Sequence, residues 1–276
     1  MMTTTILEPA PGLRGVTGEP WAGVQYFSTW RVGGVSTAPR DSLNLGAHVG
    51  DDPAAVRENR QRLRRALPGA PFWLEQVHGT DVCDADAPPD GSGRPGGLPR
   101  ADAAVTVRRD RPLVIMTADC LPVVLADESG SVLGVAHAGW RGLAAGVLES
   151  TLDAMRRRAP QARHWRAWIG PGIGPQAFQV GPEVRAAFLD RDPGFDRFFA
   201  AEVKRADGAR WLADLAGLAH ARLQQAGVAR VEVSGECTWA RADRYFSHRR
   251  DPGSGRQATL AWLTGMAGSG LATYPD

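Results

Sequence analysis

Between residues 103 and 138 the chain passes through four short apolar runs, "AAVTV", "PLVIMTA", "LPVVLAD" and "VLGVAHA", rich in β-branched residues and parted by turn-forming clusters. Continuous rather than alternating hydrophobicity over such lengths predicts sheet strands covered on both faces. "VQYFSTW", "HWRAWIG", "VARVEVSGECT" and "ATLAWL" read as further strands, and "FWLEQVHG" alternates apolar with polar as a half-buried strand does. The period lengthens in "DDPAAVRENRQRLRRAL", where Asp52 can cap, Pro53 suits the first helical position, and Val56, Leu63 and Leu67 share a face. "RGLAAGVLESTLDAMRRR" reads as one helix with Leu143, Val147, Leu148, Leu152 and Met155 on one side, and "PEVRAAFL" and "LADLAGLAHARLQQAG" as two more.

Strands and helices are grouped without a regular βα repeat, which predicts an α+β fold, a mixed β-sheet core flanked by helices. Residues 1–19 read as a flexible Pro- and Gly-containing leader, and residues 20–276 as one domain. Two long loops interrupt it: "GGVSTAPRDSLNLG", built from turn formers, and the Pro/Gly-rich, mobile surface loop "DAPPDGSGRPGGLPR".

Composition narrows the function classes. With 276 residues, 43% of them hydrophobic, the chain can bury a sizeable core. Its 32 Lys and Arg against 30 Asp and Glu leave a net charge of +2, too little field to make nucleic acid or an anionic membrane the main partner. The opening lacks a basic stretch followed by an apolar one, and no run approaches the roughly 20 apolar residues of a membrane span, so a cytoplasmic location is expected. Cys83, Cys120 and Cys237 are an odd number spread far apart, which argues against a disulfide scaffold.

The candidate chemistry lies in "TADCLPVVLADESGSVLGVAHAGWRG", residues 117–142. A hairpin closing over Glu128-Ser129-Gly130 sets His137 across from Leu121 and beside Cys120, within the roughly 5 Å of cross-strand neighbours. A thiolate and an imidazole at that spacing can share a metal ion, and His78, at the end of "EQVHG", is the third candidate. Three such ligands leave one position of a tetrahedral ion open, as catalytic zinc sites do; an open site activates water or polarises a substrate oxygen.

The ordered set "WRVGGVS", "SLNLGAHVGDDPAAVRENR", "QVHGTDV", "ADAAVT", "TADC", "GVAHAGWRGLAAGVLES", "IGPGIGP", "ECT" and "YFSHRRDPGSGRQATLAWL" resembles the laccase-domain family, once called multicopper polyphenol oxidases. That family is now described as purine nucleoside phosphorylases, and its bacterial members include peptidoglycan editing factor. The likeness covers nearly all of residues 20–265. It implies a zinc site on His78, Cys120 and His137, phosphorolysis of adenosine, inosine and S-methyl-5'-thioadenosine with phosphate as co-substrate, and adenosine deamination as a second reaction. Arginine forks match phosphate geometry, which makes Arg31, Arg57, Arg60, Arg249 and Arg250 candidates, with Arg60 and Arg249 foremost because both sit in motif stretches.

No histidine is followed two residues later by Glu, so the H-x-E signature of zinc nucleobase deaminases is missing, and His48 is the candidate for catalytic proton transfer. His248 and Arg40 stand where the family commonly has tyrosine. Cys237 reads as packing, Cys83 as having no role, and Gly170 to Pro175 as a rigid turn near the site. A competing reading makes Cys120 a nucleophile, activated by His137, that cleaves amides in peptidoglycan precursors. Copper in place of zinc is open from the ligand types, whereas multicopper phenol oxidation needs more ligands than six scattered histidines offer.

Overall fold

The computed structural model describes residues 4–87, 97–201 and 209–265. In chain order its elements are β1 (Thr5–Ala10), β2 (Leu13–Thr17), β3 (Val24–Thr29), α1 (Pro53–Arg64), β4 (Val82–Asp84), β5 (Ala103–Thr106), β6 (Leu113–Thr117), β7 (Leu121–Asp127) and β8 (Leu133–Ala138). There follow α2 (Trp140–Ala145), α3 (Val147–Arg158), β9 (Trp165–Ile169), β10 (Gln179–Val180), α4 (Pro182–Leu189), a 3-10 helix (Pro193–Phe198), β11 (Phe199–Ala201), β12 (Trp211–Ala213), α5 (Leu215–Gln225), β13 (Arg230–Val233) and β14 (Gln257–Leu263).

An antiparallel five-stranded sheet, ordered β1-β2-β3-β14-β6, lies against a mixed six-stranded sheet, ordered β13-β9-β7-β8-β5-β4. The fold is α+β. Val124, Ala126, Leu133, Val135 and Trp168 of the larger sheet meet Tyr26, Leu113, Ile115 and Ala261 of the smaller in one apolar layer. On the larger sheet's other face Val123, Leu125 and Ala136 pack under Leu143, Leu148 and Leu152 of α2 and α3, and under Leu218 of α5. On the smaller sheet's outer face Phe27, Val114 and Leu260 meet Leu63 of α1 with Leu43 and Leu45 of the long loop. Strand β7 therefore sends successive side chains into two different dry layers, which is why its sequence is apolar without alternation.

Several expectations need correction. Residues 5–17, read as a leader, form β1 and β2, a hairpin that extends the smaller sheet. "FWLEQVHG" is not a strand: its backbone makes isolated bridges at Phe72 and Glu75 only, because no continuous partner edge runs beside it. The single helix expected over residues 141–158 is two, broken at Gly146, whose φ of 110° is accessible to glycine and whose amide donates back to Gly142 and Leu143. The helix expected from Leu212 begins at Leu215, with Asp214 capping the Gly217 amide, while Leu212 and Ala213 belong to β12. Helix α1 starts as expected, Asp52 accepting from the Ala54 amide with Pro53 behind it, and stops at Arg64. Most of the Pro/Gly-rich loop over residues 86–100 lies outside the described residues.

The long loop before α1 is a built structure. Asn59, fully buried on the helix, donates to Ser36 Oγ, Ser42 O and Asn44 O and accepts from the Val35 amide at 2.8 Å. Asn44, also fully buried, accepts through one oxygen from the amides of Gly46 and Arg256, both at 2.9 Å. Loop, helix and the segment entering β14 are thus tied together by two carboxamides.

Candidate metal centre

His137 lies on β8, Cys120 one residue before β7, and His78 in a bend held at φ 62°. The hairpin register differs by one residue from the expected one: Leu121 pairs with Ala138, so His137 sits opposite Pro122. That shift matters, because side chains alternate along a strand and Cys120, two residues before Pro122, then falls on the same face as His137. The ligand atoms of the three residues lie within 4.8 Å of one another, with Cys120 Sγ 3.9 Å from His78 Nε2. His137 is buried, Cys120 half-buried and His78 exposed, so the cluster opens toward one side.

Asp102, just before β5 and fully buried, holds two of the three. One carboxylate oxygen is 2.8 Å from His137 Nδ1 and accepts from the His78 amide at 2.9 Å; the other accepts from the amides of Val77 and Gly79 at 3.0 and 2.7 Å. With Nδ1 engaged, Nε2 of His137 is left for the cluster. Gln76 fixes the same bend from the other side, donating to Met116 O and accepting from the Met116 amide, both at 2.8 Å. Neither residue stood out in the sequence.

The glycine of "HAGW" is a steric requirement. A Cβ on Gly139 would stand 2.9 Å from Cys120 Sγ and 3.0 Å from His78 Cδ2, inside the space the ligands share. Cys120 is braced from behind. Asp119, at φ 94°, accepts from Thr238 Oγ1 and the Arg249 amide, both at 2.7 Å, and its carbonyl accepts from Ile173 in the Gly170 to Pro175 turn. Cys237 Sγ accepts from the Gly174 amide of that turn.

Burial alone would raise the Cys120 thiol, but the adjacent His137 and His78 imidazoles outweigh it and bring its pKa down to about 6. Burial would lower His137, yet the Cys120 charge and the Asp102 hydrogen bond carry it up to about 9. The chain therefore offers a thiolate and two imidazoles around a gap that a Cβ would fill. This donor set fits a tetrahedral zinc ion with one open position. Among the described residues no other group of three or more His, Cys, Asp or Glu meets this spacing.

Beside the triad lies a cavity of about 660 Å³, its walls including His48, Arg60, Met116, Leu74, His248 and Arg256. Arg60 is held by Leu45 O at 2.9 Å and stacks on Trp73 with its guanidinium carbon 4.0 Å from the ring centre. His48 is pushed below the ordinary histidine pKa by burial and by the Arg256 and Arg60 charges, so its ring is neutral at pH 7. The other expected arginines turn elsewhere. Arg249 does not line the cavity; its guanidinium donates to Gln179 O and lies over Phe178. Arg31 pairs with Asp41, Arg250 donates to the carbonyls of Thr238, Trp239 and Tyr245, and Arg57 is exposed on α1 outside the lining. Arg256, inconspicuous in "GSGRQAT", does line it. Of the two departures from the family pattern, His248 lines the cavity and Arg40 donates to Val49 O outside it.

A family model described as multi-copper polyphenol oxidoreductase laccase matches residues 25–264. The chain belongs to this family. A purine nucleoside phosphorylase of Pseudomonas aeruginosa is 47% identical over 242 residues, 88% of this chain and 94% of that one. The purine nucleoside phosphorylase YfiH of Escherichia coli is 45% identical over 243 residues, 87% of this chain and 94% of its own length. Among solved structures, a Neisseria meningitidis protein superposes with a TM-score of 0.79 at 39% identity, covering 95% of this chain and all of its own (100%). A Bacillus licheniformis protein, also called YfiH, superposes with a TM-score of 0.80 at 31% identity, covering 92% and 97% of the two chains. The laccase-family resemblance drawn from the motifs is thereby established. No helix among the described residues is long and apolar enough to cross a membrane.

Proposed function

We propose that the chain is a zinc-dependent purine nucleoside phosphorylase acting on adenosine, inosine and S-methyl-5'-thioadenosine, with adenosine deamination as a second reaction. The observation that carries this reading is the His78, Cys120 and His137 triad opening beside a cavity walled by two arginines and by Leu74 and Met116. The names of the relatives point the same way. A cytoplasmic setting suits a site whose cysteine must stay reduced.

Phosphorolysis breaks the bond from the ribose anomeric carbon to the purine nitrogen, forms one to a phosphate oxygen, and leaves the base to take up a proton. The protein must align phosphate, sugar and base and stabilise negative charge at both ends of the displacement. His78, Cys120 and His137 would hold a zinc ion, which would supply a Lewis acid able to polarise a ligand oxygen or to make water more acidic. Asp102 holds His137 in one tautomer, and Gly139 leaves the space between the ligands clear. Arg60, anchored by Leu45 and Trp73, presents fixed positive charge, and the neutral ring of His48 can accept or donate a proton beside it. Leu74 and Met116 give a flat purine apolar contact.

Incubation of the purified protein with adenosine, with and without phosphate, and separation of adenine, inosine and hypoxanthine tests this directly. Phosphate-dependent adenine that vanishes in Cys120→Ala is the expected result; no product under either condition overturns the reading. Inosine formed without phosphate would report the deamination.

One observation favours a second reading, the amide-cleaving nucleophile: a Cys120 thiol lowered to about 6 beside His137 is the pairing of a cysteine hydrolase. Chelation separates the two, since it abolishes the metal-dependent activity and spares a thiolate nucleophile.

A further inference from the structure

Several buried or half-buried arginines elsewhere in this fold have carboxylate partners, as Arg31 has Asp41, Arg222 has Glu149 and Arg244 has Glu236. Arg60 and Arg256 do not: among the described residues neither makes an ion pair, although both line the cavity and burial pulls both guanidinium pKa values down. Nη1 of Arg60, and Nε and Nη2 of Arg256, have no hydrogen-bond partner among these residues, while Nη1 of Arg256 is pinned by Ser254 O and Gly255 O, both at 2.9 Å. The two flank the same stretch of loop: Arg60 Nε donates to Leu45 O, and the Arg256 stem lies against Gly46, the next residue. Glu75, the carboxylate of the lining, is exposed. Partly desolvated guanidinium groups that line a cavity with donors spare and no carboxylate in contact are costly, so such a pair marks a place where an anion binds.

We propose that Arg60 and Arg256, with His48 beside them, form an oxyanion subsite for inorganic phosphate next to the triad. The spare donors come from two elements, helix α1 and the segment entering β14, and so approach from two directions. That suits a tetrahedral oxyanion, which presents oxygens to both, better than a planar carboxylate, which a single fork satisfies. The site is built to hold this geometry: Trp73 and Leu45 fix Arg60, and Asn44 fixes the Arg256 backbone at 2.9 Å. Gly46 lies against the Arg256 stem so closely that a Cβ there would stand 2.8 Å from Cγ. This deepens the phosphorylase reading and rests on it for the role of the bound phosphate, but not for the binding itself.

The test is calorimetric titration of inorganic phosphate into the zinc-loaded full-length protein without nucleoside, with thermal melts to verify folding. Wild type binds, and Arg256→Gln and Arg60→Gln each weaken binding by about tenfold or more, the loss of charge-assisted hydrogen bonds. Arg256→Lys, which keeps the charge and loses the fork, falls between, and Arg65→Gln, exposed at the end of α1, binds as wild type. Should Arg256→Gln fail to fold, Arg60→Gln and Arg256→Lys decide. Phosphate affinity unchanged in both arginine variants, as for phosphate held by zinc alone, or no binding by wild type, overturns the subsite. Nucleoside turnover is measured separately. Turnover with arginine-insensitive phosphate binding sinks the subsite and leaves the phosphorylase reading, whereas arginine-dependent binding without turnover does the reverse.

Discussion

Asp102 and His137 are joined twice: carboxylate to ring at 2.8 Å, and Asp102 carbonyl to His137 amide at 2.7 Å. Through the same carboxylate the backbone of the His78 bend is drawn in, so one buried acid sets the positions of two ligands that are distant in sequence.

Asp102→Asn should therefore weaken zinc binding by about 10- to 100-fold, because the amide group turns a donor toward donors. Competition with a chromophoric chelator measures this, and unchanged affinity would show that the bend holds itself. Burial would raise the Asp102 pKa, but the His137 and backbone hydrogen bonds outweigh it and hold it below the usual range. Its stabilisation is accordingly complete above about pH 4 and lost as pH falls through the lowered native value. The Asn variant should show a shallower loss of stability on the acid side.

In metal-free protein, alkylation of Cys120 should follow a midpoint near 6. Below it the thiol keeps its proton and reacts slowly; above it the thiolate reacts at a plateau rate. Zinc should suppress the reaction throughout. Iodoacetamide labelling read by mass spectrometry gives the profile, and a midpoint at about 8.5, that of an ordinary cysteine, would contradict the geometry.

Gly139→Ala should fold and lose its metal. The added methyl presses on Cys120 Sγ and His78 Cδ2. The melting temperature of the metal-free protein should move by less than about 4 °C, while bound zinc, measured by plasma mass spectrometry after dialysis, falls to background.

Asn59→Ala removes four hydrogen bonds from a fully buried site. A loss on the order of 2–4 kcal/mol in urea unfolding is expected, since the loop groups left behind are unsatisfied. Zinc affinity should be nearly unchanged, because Asn59 touches none of the residues that fix the triad.

The contrast shows what the sequence makes legible. His78, Cys120 and His137 can be found from residue type and hairpin spacing, although the expected register, one residue off, sets Cys120 on the face opposite His137. Asp102 hides in "ADAAVT" because a carboxylate before an apolar run looks like a solvated strand end; its burial depends on a bend that arrives from residues 77–79. Arg249 and Arg256 stand in the same motif stretch, and residue type singles out Arg249 but not Arg256, since only the loop's path sends one guanidinium to Gln179 O and the other to the cavity. "FWLEQVHG" carries strand periodicity, but pairing needs a neighbouring edge, and periodicity says nothing of where edges lie. Residues 5–17 mislead through Pro9, Pro11 and Gly12, which mark a hairpin rather than a loose leader.

The two carboxamides of Asn44 and Asn59 carry a last consequence. They fix the loop and the Arg256 backbone on one side of the cavity, while Asp102 and Gln76 fix the triad side, and the two sides meet at Met116, whose backbone Gln76 holds and whose Sδ Arg60 reaches at 3.9 Å. On the proposed reading, substitutions around Asn44 and Asn59 should therefore act on substrate choice more than on metal retention, and substitutions at Asp102 the reverse. A cavity wall carried by a loop can thus be reshaped without disturbing the buried acid that positions His78 and His137.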